Sequence, residues 1–544
     1  MYPDPEKKRN RGYLGHDSAA YNLFATNVIL STVSFVYFPH DRWCGLVINL
    51  FTLFGSVLGQ LLFGYLADRY GRTRLYGIEL VLVIVSTIGV ATTSNGYGDI
   101  SFLALFTWWR FVMGCGLDAL HAEECKKIID GTWRIVIGSG AVPALLAIIF
   151  RFFLYDCGLY TLEVKNKPGN AFRDTQRVYG PPPTSNGTSM SPINGNNFYD
   201  AEDTSRQFSF EDLHNYFIKD KNWYYLMGTA MTWFFLDVSF YGFSLDNRGT
   251  LADLWATTQR VPVSQDLWCW NSTLPGGTSL VPSWATGGLP TWQTDPTQPC
   301  NTIYETLIEQ TKQYLLTVSL PSIAGSVCFI FFANRIPRRQ WLTTSFMILT
   351  VLFLITGGVY YGVAHKAGAP ATVVCVSICH FMFNFGANTL TFIIPAELFP
   401  TCYRCTCHGI SAAAGKLGSI VAVLVVYGIN AGYASRTRQG LIFLLFSAFM
   451  ALGAIYSWAY LPDVQRVVYD GEGGKRRLET RSLEELGGGY VVARQEGQVI
   501  GVREKWRDLR GRLRRRKQRG AENGTVRLGS VAAEPVEVDG TGVA

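Results

Sequence analysis

Three residues in one apolar stretch carry groups that are uncommon inside a membrane-crossing helix. Trp233, Asp237 and Tyr241 recur at intervals of four, which places an indole N–H, a carboxyl group and a phenol on one helical face. Lys416 and Asn388 lie in two other apolar stretches. A charged residue in a span costs about 2.5 to 3.5 kcal/mol, so it usually faces a pathway or a partner. In a shared cavity, the ammonium group of Lys416 would attract an anion, and a protonated Asp237 could donate a hydrogen bond to it.

The same residues also have a purely structural interpretation. Asp237 and Lys416 could pair with each other and stabilise a helical bundle. Aromatic residues at helical spacing, such as Trp233 and Tyr241, are more often packing residues than ligands. Spacing alone leaves both interpretations open.

The composition indicates an all-α polytopic membrane protein. Of 544 residues, 48% are hydrophobic and 16% are charged, against about 25% charged in soluble domains. A helix needs about twenty apolar residues to cross a bilayer core. Eleven stretches approach this length, at 18–39, 43–67, 75–93, 101–117, 133–155, 222–245, 314–333, 341–361, 371–395, 409–433 and 439–461.

The spans fall into two groups separated by a polar segment. We expect an N-terminal segment at 1–17, a first bundle at 18–155, a linker rich in Pro, Asn and Gly at 156–221, a second bundle at 222–463 and a basic tail at 464–544. The second bundle would carry an extracellular insert at about 247–313. The chain start shows no short apolar core with a cleavage signal, so a removable signal peptide is not expected.

Basic residues in short loops predict the orientation, because they favour the cytoplasmic side. Four clusters would then be cytoplasmic, as would both termini: Lys7 to Arg11, Arg69 to Arg74, Arg335 to Arg339 and the tail. The sequon at Asn271, beside Cys269 and Cys300, would face outward, where glycosylation and a disulfide are both permitted. An unused sequon and free cysteines are equally compatible with the sequence.

The span count conflicts with this orientation. With five spans in the first half, the linker would face outward and the second half would be inverted relative to its charges. A twelfth span is therefore missing, and the polar stretch 118–130 occupies its expected place.

Several classes of protein are not expected. The net charge of +7 arises in the tail, where ten basic residues lie between Arg503 and Arg519, so a nucleic-acid-binding face is not indicated. The cysteines lie mostly inside apolar runs or singly in turns, which predicts neither a metal site nor a redox motif. No catalytic triad or nucleotide-binding glycine loop is present, so neither an enzyme nor a cofactor is expected.

The loop after the second span has a distinctive pattern. It includes Gly64, Asp68, Arg69, Gly71 and Arg72, in which glycines permit a tight interhelical turn and Asp68 can cap a neighbouring helix end. Taken alone, these residues also fit an ordinary hairpin with positive charge inside. The full pattern resembles the loop between the second and third helices of the major facilitator superfamily, and 334–339 repeats it weakly in the second half.

Three further runs resemble fungal high-affinity inorganic phosphate:proton symporters within that superfamily. The run 228–242 is similar to their seventh helix, 383–400 to their tenth helix with its following turn, and 408–418 to their eleventh. The resemblance implies twelve transmembrane helices in total, arranged in two bundles. It also implies an integral protein of the plasma membrane that takes up phosphate together with protons. It also implies that Asp237 couples the proton and that phosphate is bound by Trp233, Asp237, Tyr241, Asn388 and Lys416.

The first half departs from the family pattern. Where the first helix of the family carries acids that could relay protons, this chain has Ala19 and Asn22. The fourth helix breaks off near Leu117, before a phosphate-contacting tyrosine, and the fifth helix has no counterpart. Two other functions therefore stay open: a transport-deficient phosphate-sensing receptor, and a major facilitator carrier of another solute.

The tail carries one further periodic pattern. Apolar residues recur at helical spacing among arginines, which suggests a basic amphipathic helix on anionic cytoplasmic lipid. A solvated charged helix is the alternative, and 520–544 is expected to be disordered. The apolar residues are Val499, Val502, Trp506, Leu509 and Leu513.

Overall fold

The computed structural model is a bundle of long helices with a small hairpin in the tail. It describes residues 30, 32–37, 42–93, 102–114, 131, 134–139, 141–142, 145–146, 210–244, 255, 303–333, 335–363, 369–430, 436–462, 465–469, 476–480, 501–512 and 514. Six of the described helices are long and apolar enough to cross a membrane. Helix α5 is not among the six, but its 22 residues cover about 33 Å at 1.5 Å per residue.

Three helices of the first half are described over more than ten residues each. They are α1 (Arg42–Tyr70), α2 (Arg72–Ala91) and α3 (Phe102–Gly114). Gly71 joins α1 to α2 with a φ of 102°, a conformation that glycine adopts without a Cβ penalty. Short helical stretches at 32–37 and 134–139 lie within the predicted first and fifth spans, whose other residues are largely outside the described part.

The second half contributes most of the described fold. A short helix, α4 (Phe210–His214), continues as a π-helical turn (Asn215–Lys219) and leads into α5 (Trp223–Ser244). The other helices are α6 (Ile303–Phe332), α7 (Arg338–Val363), α8 (Ala369–Met382, continuing through the π-helical turn Phe383–Ala387 into Asn388–Leu398), α9 (Arg404–Asn430) and α10 (Arg436–Tyr460).

The tail begins with a hairpin and contains a helix. Strands β1 (Gln465–Tyr469) and β2 (Arg476–Thr480) pair antiparallel, with Val467 opposite Leu478. Helix α11 follows at 502–512. The all-α class holds for the membrane part, but the hairpin was not predicted.

Several predicted boundaries differ from those in the structure. Helix α6 begins at Ile303, eleven residues before the predicted span and inside the predicted extracellular insert. Its first turns are amphipathic, with Glu305 and Lys312 among apolar residues, so a search for continuous apolar stretches misses them. Helix α4 and its π turn likewise lie within the segment predicted as a linker.

Helix α3 is shorter than its predicted span of 101–117. It ends at Gly114 after 13 residues, which cover about 20 Å, less than a bilayer core of about 30 Å. The stretch 115–130, where the missing span was expected, lies outside the described residues.

Two hydrophobic clusters correspond to the two halves. The larger one belongs to the second half and includes Phe346, Phe383 and Phe446. The smaller one belongs to the first half and includes Val90 and Phe106. Helix α1 contributes to both, because its Leu46 and Leu53 join the larger cluster while its Ile48 joins the smaller.

Large apolar side chains remain exposed on the outside of the helices. Ile330 and Phe331 of α6 are among the most exposed. In a soluble protein such a surface would favour aggregation, whereas in a membrane protein it faces lipid.

Candidate functional site

The candidate site lies where α5 and α9 pack closely. Two glycines of α9 make this approach possible: a Cβ on Gly415 would lie 2.4 Å from Cδ1 of Trp233, and one on Gly418 would lie 2.4 Å from the carbonyl oxygen of Phe234. With no side chain at either position, the backbone of α9 rests directly on α5. Lys416, between the two glycines, is thereby brought to the polar face of α5.

Lys416 contacts two polar side chains of α5. Its Nζ lies 3.2 Å from Oδ2 of Asp237 and donates a 2.7 Å hydrogen bond to the hydroxyl group of Tyr241. The ammonium group also lies 4.1 Å from the centroid of the Tyr241 ring, a distance typical of a cation–π contact. Asp237, Tyr241 and Lys416 therefore form one cluster, here called the charge cluster.

The charge cluster is buried. The side chain of Asp237 is 2% exposed and that of Lys416 is 12% exposed. Removing either partner from such a pair leaves an uncompensated charge away from water, which is strongly unfavourable. The positive and negative charges of the cluster therefore have to balance. If one group gains or loses its charge, a proton or an ion must bind or leave to compensate.

Ser419 is a member of the site that was not predicted. Its hydroxyl group donates to Oδ2 of Asp237 at 3.3 Å and to the carbonyl oxygen of Gly415 at 3.2 Å. Ser419 lies three residues after Lys416 and therefore on the same face of α9. That spacing was the available signal, but serine is too common in helices for it to stand out.

Trp233 lies one turn before Asp237, against Gly415. Its ring meets those of Phe392 and His408 edge to face, with centroids 6.0 and 5.4 Å away. His408 is in turn placed by a 3.2 Å hydrogen bond between its Nε2 and the carbonyl oxygen of Phe392. Trp233 thus packs among aromatic rings next to the charge cluster.

Asn388 lies on α8 and bonds within its own helix. Its Nδ2 donates to Oδ1 of Asn384 at 3.2 Å, and Nδ2 of Asn384 donates to the carbonyl oxygen of His380 at 3.0 Å. Asn384 was not predicted as a site residue, although it precedes Asn388 by one turn. Asn384 lies within the π-helical turn and Asn388 directly follows it, and such an irregularity often marks a functional site.

The loop motif of the first half joins α1 to α9. Oδ2 of Asp68 accepts hydrogen bonds from the backbone N–H of Thr406 at 2.6 Å and from its hydroxyl group at 2.9 Å. Asp68 thus caps the start of α9, where a carboxylate is favoured by the helix dipole. The Cα atom of Gly409 would lie 3.2 Å from a Cβ on Gly64, so these glycines let the helices cross closely.

The other residues of that motif have separate positions. Arg69 is exposed and donates a 2.7 Å hydrogen bond to the hydroxyl group of Tyr65. Gly71 forms the left-handed turn described above. Arg72 begins α2, and its side chain is outside the described part.

The weak repeat in the second half forms an ion pair. Nε of Arg338, at the start of α7, lies 3.3 Å from Oε2 of Glu397, near the end of α8. The backbone N–H of Arg338 also donates to Oε1 of Gln465 at 2.6 Å. This side of the second bundle is therefore linked to the hairpin of the tail.

Within the described ranges, no three His, Cys, Asp or Glu side chains are grouped as metal ligands. Asn271, Cys269 and Cys300 lie outside those ranges, so glycosylation and a disulfide there stay predictions.

Known transporters are similar to this chain in sequence and in fold. The protein-family model described as "Sugar (and other) transporter" matches residues 301–468. The fold resembles the structure of the major facilitator superfamily proton:xylose symporter XylE bound to 6-bromo-6-deoxy-D-glucose, with a TM-score of 0.56, 12% identity, and 83% of this chain and 95% of that chain covered. A double tryptophan mutant of XylE gives a TM-score of 0.52 at 13% identity, with the same coverage. The chain therefore has the fold of these major facilitator superfamily transporters.

Within that superfamily, the chain is similar to fungal phosphate permeases. It is 26% identical to the repressible high-affinity phosphate permease of Neurospora crassa, over 89% of this chain and 86% of that protein. It is 28% identical to the inorganic phosphate transporter PHO84 of Saccharomyces cerevisiae, over 83% and 81%. A probable inorganic phosphate transporter of Arabidopsis thaliana is 24% identical, over 82% and 88%. The resemblance noted from the sequence is confirmed.

Proposed function

We propose that this protein is a secondary active transporter that takes up inorganic phosphate together with protons. The observation that carries this proposal is the charge cluster, in which a buried ammonium group contacts both a carboxylate and a phenol. The names of the fungal and plant relatives, all phosphate permeases or transporters, support phosphate as the anion.

The geometry supplies a way to couple the two ions. Asp237 and phosphate compete for Lys416, because each is an anion that can pair with it. When Asp237 binds a proton, it no longer holds the ammonium group by charge, and its O–H can donate to a phosphate oxygen. When Asp237 releases the proton, it pairs with Lys416 again and the phosphate is repelled.

Trp233, Tyr241 and Asn388 would complete the binding site. Tyr241 is already bonded to Lys416, so its hydroxyl group would stay near a bound anion. The indole N–H of Trp233 and the amide N–H of Asn388 are neutral donors that suit phosphate oxygens. For Asn388 this role requires that it exchange its bond to Asn384 for one to the ligand.

Alternating access would proceed by rocking of the two bundles. Helices α1 and α9 contact each other near both ends, through Asp68 with Thr406 at one end and Trp43 with Tyr427, 5.2 Å between centroids, at the other. In this proposal, separating one end opens the site to one side of the membrane. Gly64, Asp68, Arg69, Gly71 and Arg72 would govern the cytoplasmic end.

The proposed location is the plasma membrane, with both termini in the cytoplasm. Basic clusters at the α1–α2 turn, at the start of α7 and in the tail support this orientation. In this proposal the protein acts without an enzymatic step or a cofactor.

We also propose that α11 of the tail binds anionic lipid. The helix is attached to the end of α10: the N–H of Gly501 donates to the carbonyl oxygen of Ala459 at 2.9 Å, and Nζ of Lys505 donates to that of Trp458. This attachment holds α11 next to the membrane surface. A turn of 100° per residue gathers four exposed arginines on the face opposite Lys505, namely Arg503, Arg507, Arg510 and Arg514.

Vesicle binding tests the lipid proposal. The full chain in nanodiscs should bind vesicles containing phosphatidylserine more tightly than neutral vesicles, and glutamine at Arg503, Arg507 and Arg510 should remove the difference. Substitution of the exposed Lys312, distant in sequence from α11, is the control. Equal binding of both vesicle types by the unaltered protein would contradict this proposal.

Uptake into proteoliposomes tests the transport function. The proposal requires that labelled phosphate accumulate faster at acid than at neutral external pH. Phosphate binding without flux would instead indicate a receptor. The short helix α3 is the observation that favours this alternative. Neither binding nor flux would indicate another solute.

A further inference from the structure

The hydroxyl group of Ser419 faces two acceptors at almost the same distance. Its Oγ lies 3.3 Å from Oδ2 of Asp237 and 3.2 Å from the carbonyl oxygen of Gly415. A serine hydroxyl group carries one proton, so it donates to only one of these oxygens at a time, and it also has lone pairs with which to accept. Rotation about the Cβ–Oγ bond is enough to exchange one acceptor for the other.

Close helix packing brings these three groups together. A Cβ on Gly415 would lie 2.9 Å from Oδ2 of Asp237, so the backbone of α9 reaches the carboxylate itself. Ser419 follows Gly415 by one helical turn and is fully buried, and the side chain of Asp237 is 2% exposed. A carboxyl group buried in this way needs hydrogen-bond partners within the protein, whether it is ionised or protonated.

Lys416 and Tyr241 are the titratable groups next to Asp237. Lys416 contacts the carboxylate directly, and Tyr241 is joined to it through Lys416. Other titratable groups of the helices packed on α5 or α9 contact different residues: His380 of α8 stacks on Phe243, Glu397 of α8 pairs with Arg338, Tyr456 of α10 packs against Phe235, His408 of α9 packs against Trp233, and Asp68 of α1 bonds to Thr406. Within the described residues, the hydrogen bonds of Asp237 are those from Lys416 and Ser419.

Ser419 can satisfy the carboxyl group in both of its protonation states. When Asp237 is ionised, the serine hydroxyl group donates to its Oδ2. When Oδ2 carries a proton, the serine hydroxyl group turns to the carbonyl oxygen of Gly415, and its own lone pair accepts from the new O–H. A carbonyl oxygen has two lone pairs, so Gly415 accepts this bond in addition to the backbone bond of the helix. Each of these buried donors thus has an acceptor in either state.

We propose that Ser419 is a positioning residue that holds the proton of Asp237 while the site is empty. The proton comes from water on the side to which the site is open, and one O–H bond forms on Oδ2. Asp237 then no longer balances the charge of Lys416, which attracts the phosphate anion. A phosphate oxygen replaces Ser419 as the acceptor of the O–H. This order of events rests on the proposed transport function, whereas the exchange of the serine hydroxyl group does not.

Ser411 offers a matched comparison on the same helix. It is also fully buried, and its hydroxyl group donates to the carbonyl oxygen four residues earlier, that of Cys407, at 2.9 Å. Its second contact, at 2.8 Å, is the hydroxyl group of Thr229 on α5 rather than a carboxylate. If Ser419 only supported the helix, replacing either serine by alanine would have the same effect.

Infrared spectroscopy tests the hydroxyl exchange without phosphate. The full chain in nanodiscs is titrated from alkaline to acid pH, and the C=O band of protonated Asp237 is identified by its loss in Asp237→Asn. In Ser419→Ala this band should move to higher frequency, because the O–H has lost its acceptor. Ser411→Ala should leave the band in place, and Ser419→Thr, which keeps a hydroxyl group, should restore it. The same frequency in Ser419→Ala and in the unaltered protein would overturn the proposal, as would the lack of this band in the unaltered protein at every pH.

The pH dependence of uptake tests the consequence for transport. A hydrogen bond to a charged group is stronger than one between neutral groups, so Ser419→Ala removes more stabilisation from the ionised carboxylate than from the protonated carboxyl group. Half-maximal uptake of labelled phosphate should therefore move to higher pH, by about half a unit, whereas Ser411→Ala should not move it. An unchanged pH profile beside a shifted infrared band would refute the order of events but not the hydroxyl exchange. A failure of uptake in the unaltered protein would refute the proposed function, and the infrared band would still decide the role of Ser419.

Discussion

At the residue scale, the proposed coupling depends on the competition between Asp237 and phosphate for Lys416. A buried ammonium group that contacts one carboxylate is neutral as a pair, so an anion can enter only if the carboxylate is neutralised. Ser419 and Tyr241 strengthen this arrangement, because each adds a hydrogen bond to one partner of the pair. In the proposed mechanism, proton binding and anion binding are therefore linked through one atom, Oδ2 of Asp237.

Replacing Asp237 by asparagine should uncouple phosphate transport from proton transport. Asp237→Asn keeps the shape and a hydrogen-bonding group but cannot bind or release a proton. We expect phosphate to equilibrate across the membrane without accumulating when the outside is made acidic. Accumulation of labelled phosphate in proteoliposomes measures this, and Glu309→Gln on the exposed first turns of α6 is the control. Unchanged accumulation in Asp237→Asn would exclude the carboxyl group from coupling.

Replacing Lys416 by methionine leaves a buried carboxylate without its cation. Breaking such a pair costs about 3 to 5 kcal/mol. We expect Lys416→Met to lower the melting temperature at pH 8, and less so at pH 5.5, where Asp237 is more readily protonated. The double variant with Asp237→Asn should recover most of the loss. If Lys416→Met and the double variant were equally stable, the loss would not come from the unpaired carboxylate of Asp237.

At the element scale, the close packing of α5 and α9 makes the charge cluster possible. The lysine reaches the carboxylate because Gly415 and Gly418 leave no side chain between the two helices. Interfaces of this kind are typical of membrane helices, in which small residues allow backbones to approach. The chemistry of the site thus depends on residues that have no reactive group.

A methyl group at Gly418 should disturb this packing. Its Cβ would lie 2.4 Å from the backbone carbonyl oxygen of Phe234, which cannot move without moving α5. We expect Gly418→Ala to cost about 1 to 3 kcal/mol, as overpacking does, and to weaken phosphate binding. Gly428→Ala is a matched control on the same helix, because nothing lies within 4 Å of its Cβ. Equal melting temperatures for the two variants would contradict the assigned packing.

At the scale of the whole molecule, α1 and α9 form the seam between the halves. The seam includes a helix cap at Asp68, a glycine crossing at Gly64 and Gly409, and an aromatic contact at Trp43. These contacts are small and local, which suits the proposed motion, in which one end separates while the other acts as a pivot. In this proposal, residues without reactive groups, such as Gly64 and Gly409, form part of the gate.

A methyl group at Gly409 should wedge the seam open. Its Cβ would lie 2.5 Å from the carbonyl oxygen of Gln60 on α1. We expect Gly409→Ala to separate the end of the seam near Asp68 and to increase the rate at which a maleimide modifies Cys405. Gly362→Ala, on α7 with open space around it, is the control. A modification rate equal to that of the unaltered protein would mean that the crossing is not tight in solution.

Much of the helical layout follows from the sequence. A membrane span must form its backbone hydrogen bonds within the helix, and it is therefore visible in the sequence as a long apolar stretch. The predicted spans at 43–67, 341–361 and 439–461 match α1, α7 and α10 closely. Amphipathic helices do not form long apolar stretches, which is why the start of α6 and the short helix α4 were missed. The hairpin of the tail was missed as well, since its charged strands have no clear alternation.

The sequence by itself determined the kinds of group in the site, because a lysine and an aspartate within apolar spans require a partner or a pathway. It could not determine which of the five predicted site residues meet. In the structure, Lys416 contacts Asp237 and Tyr241, and Ser419 donates a hydrogen bond to Asp237. Asn388 instead donates a hydrogen bond to Asn384 of its own helix. Only tertiary structure decides this, since contacts between helices far apart in the chain depend on crossing positions set by glycines such as Gly415 and Gly409, whose effect is purely spatial.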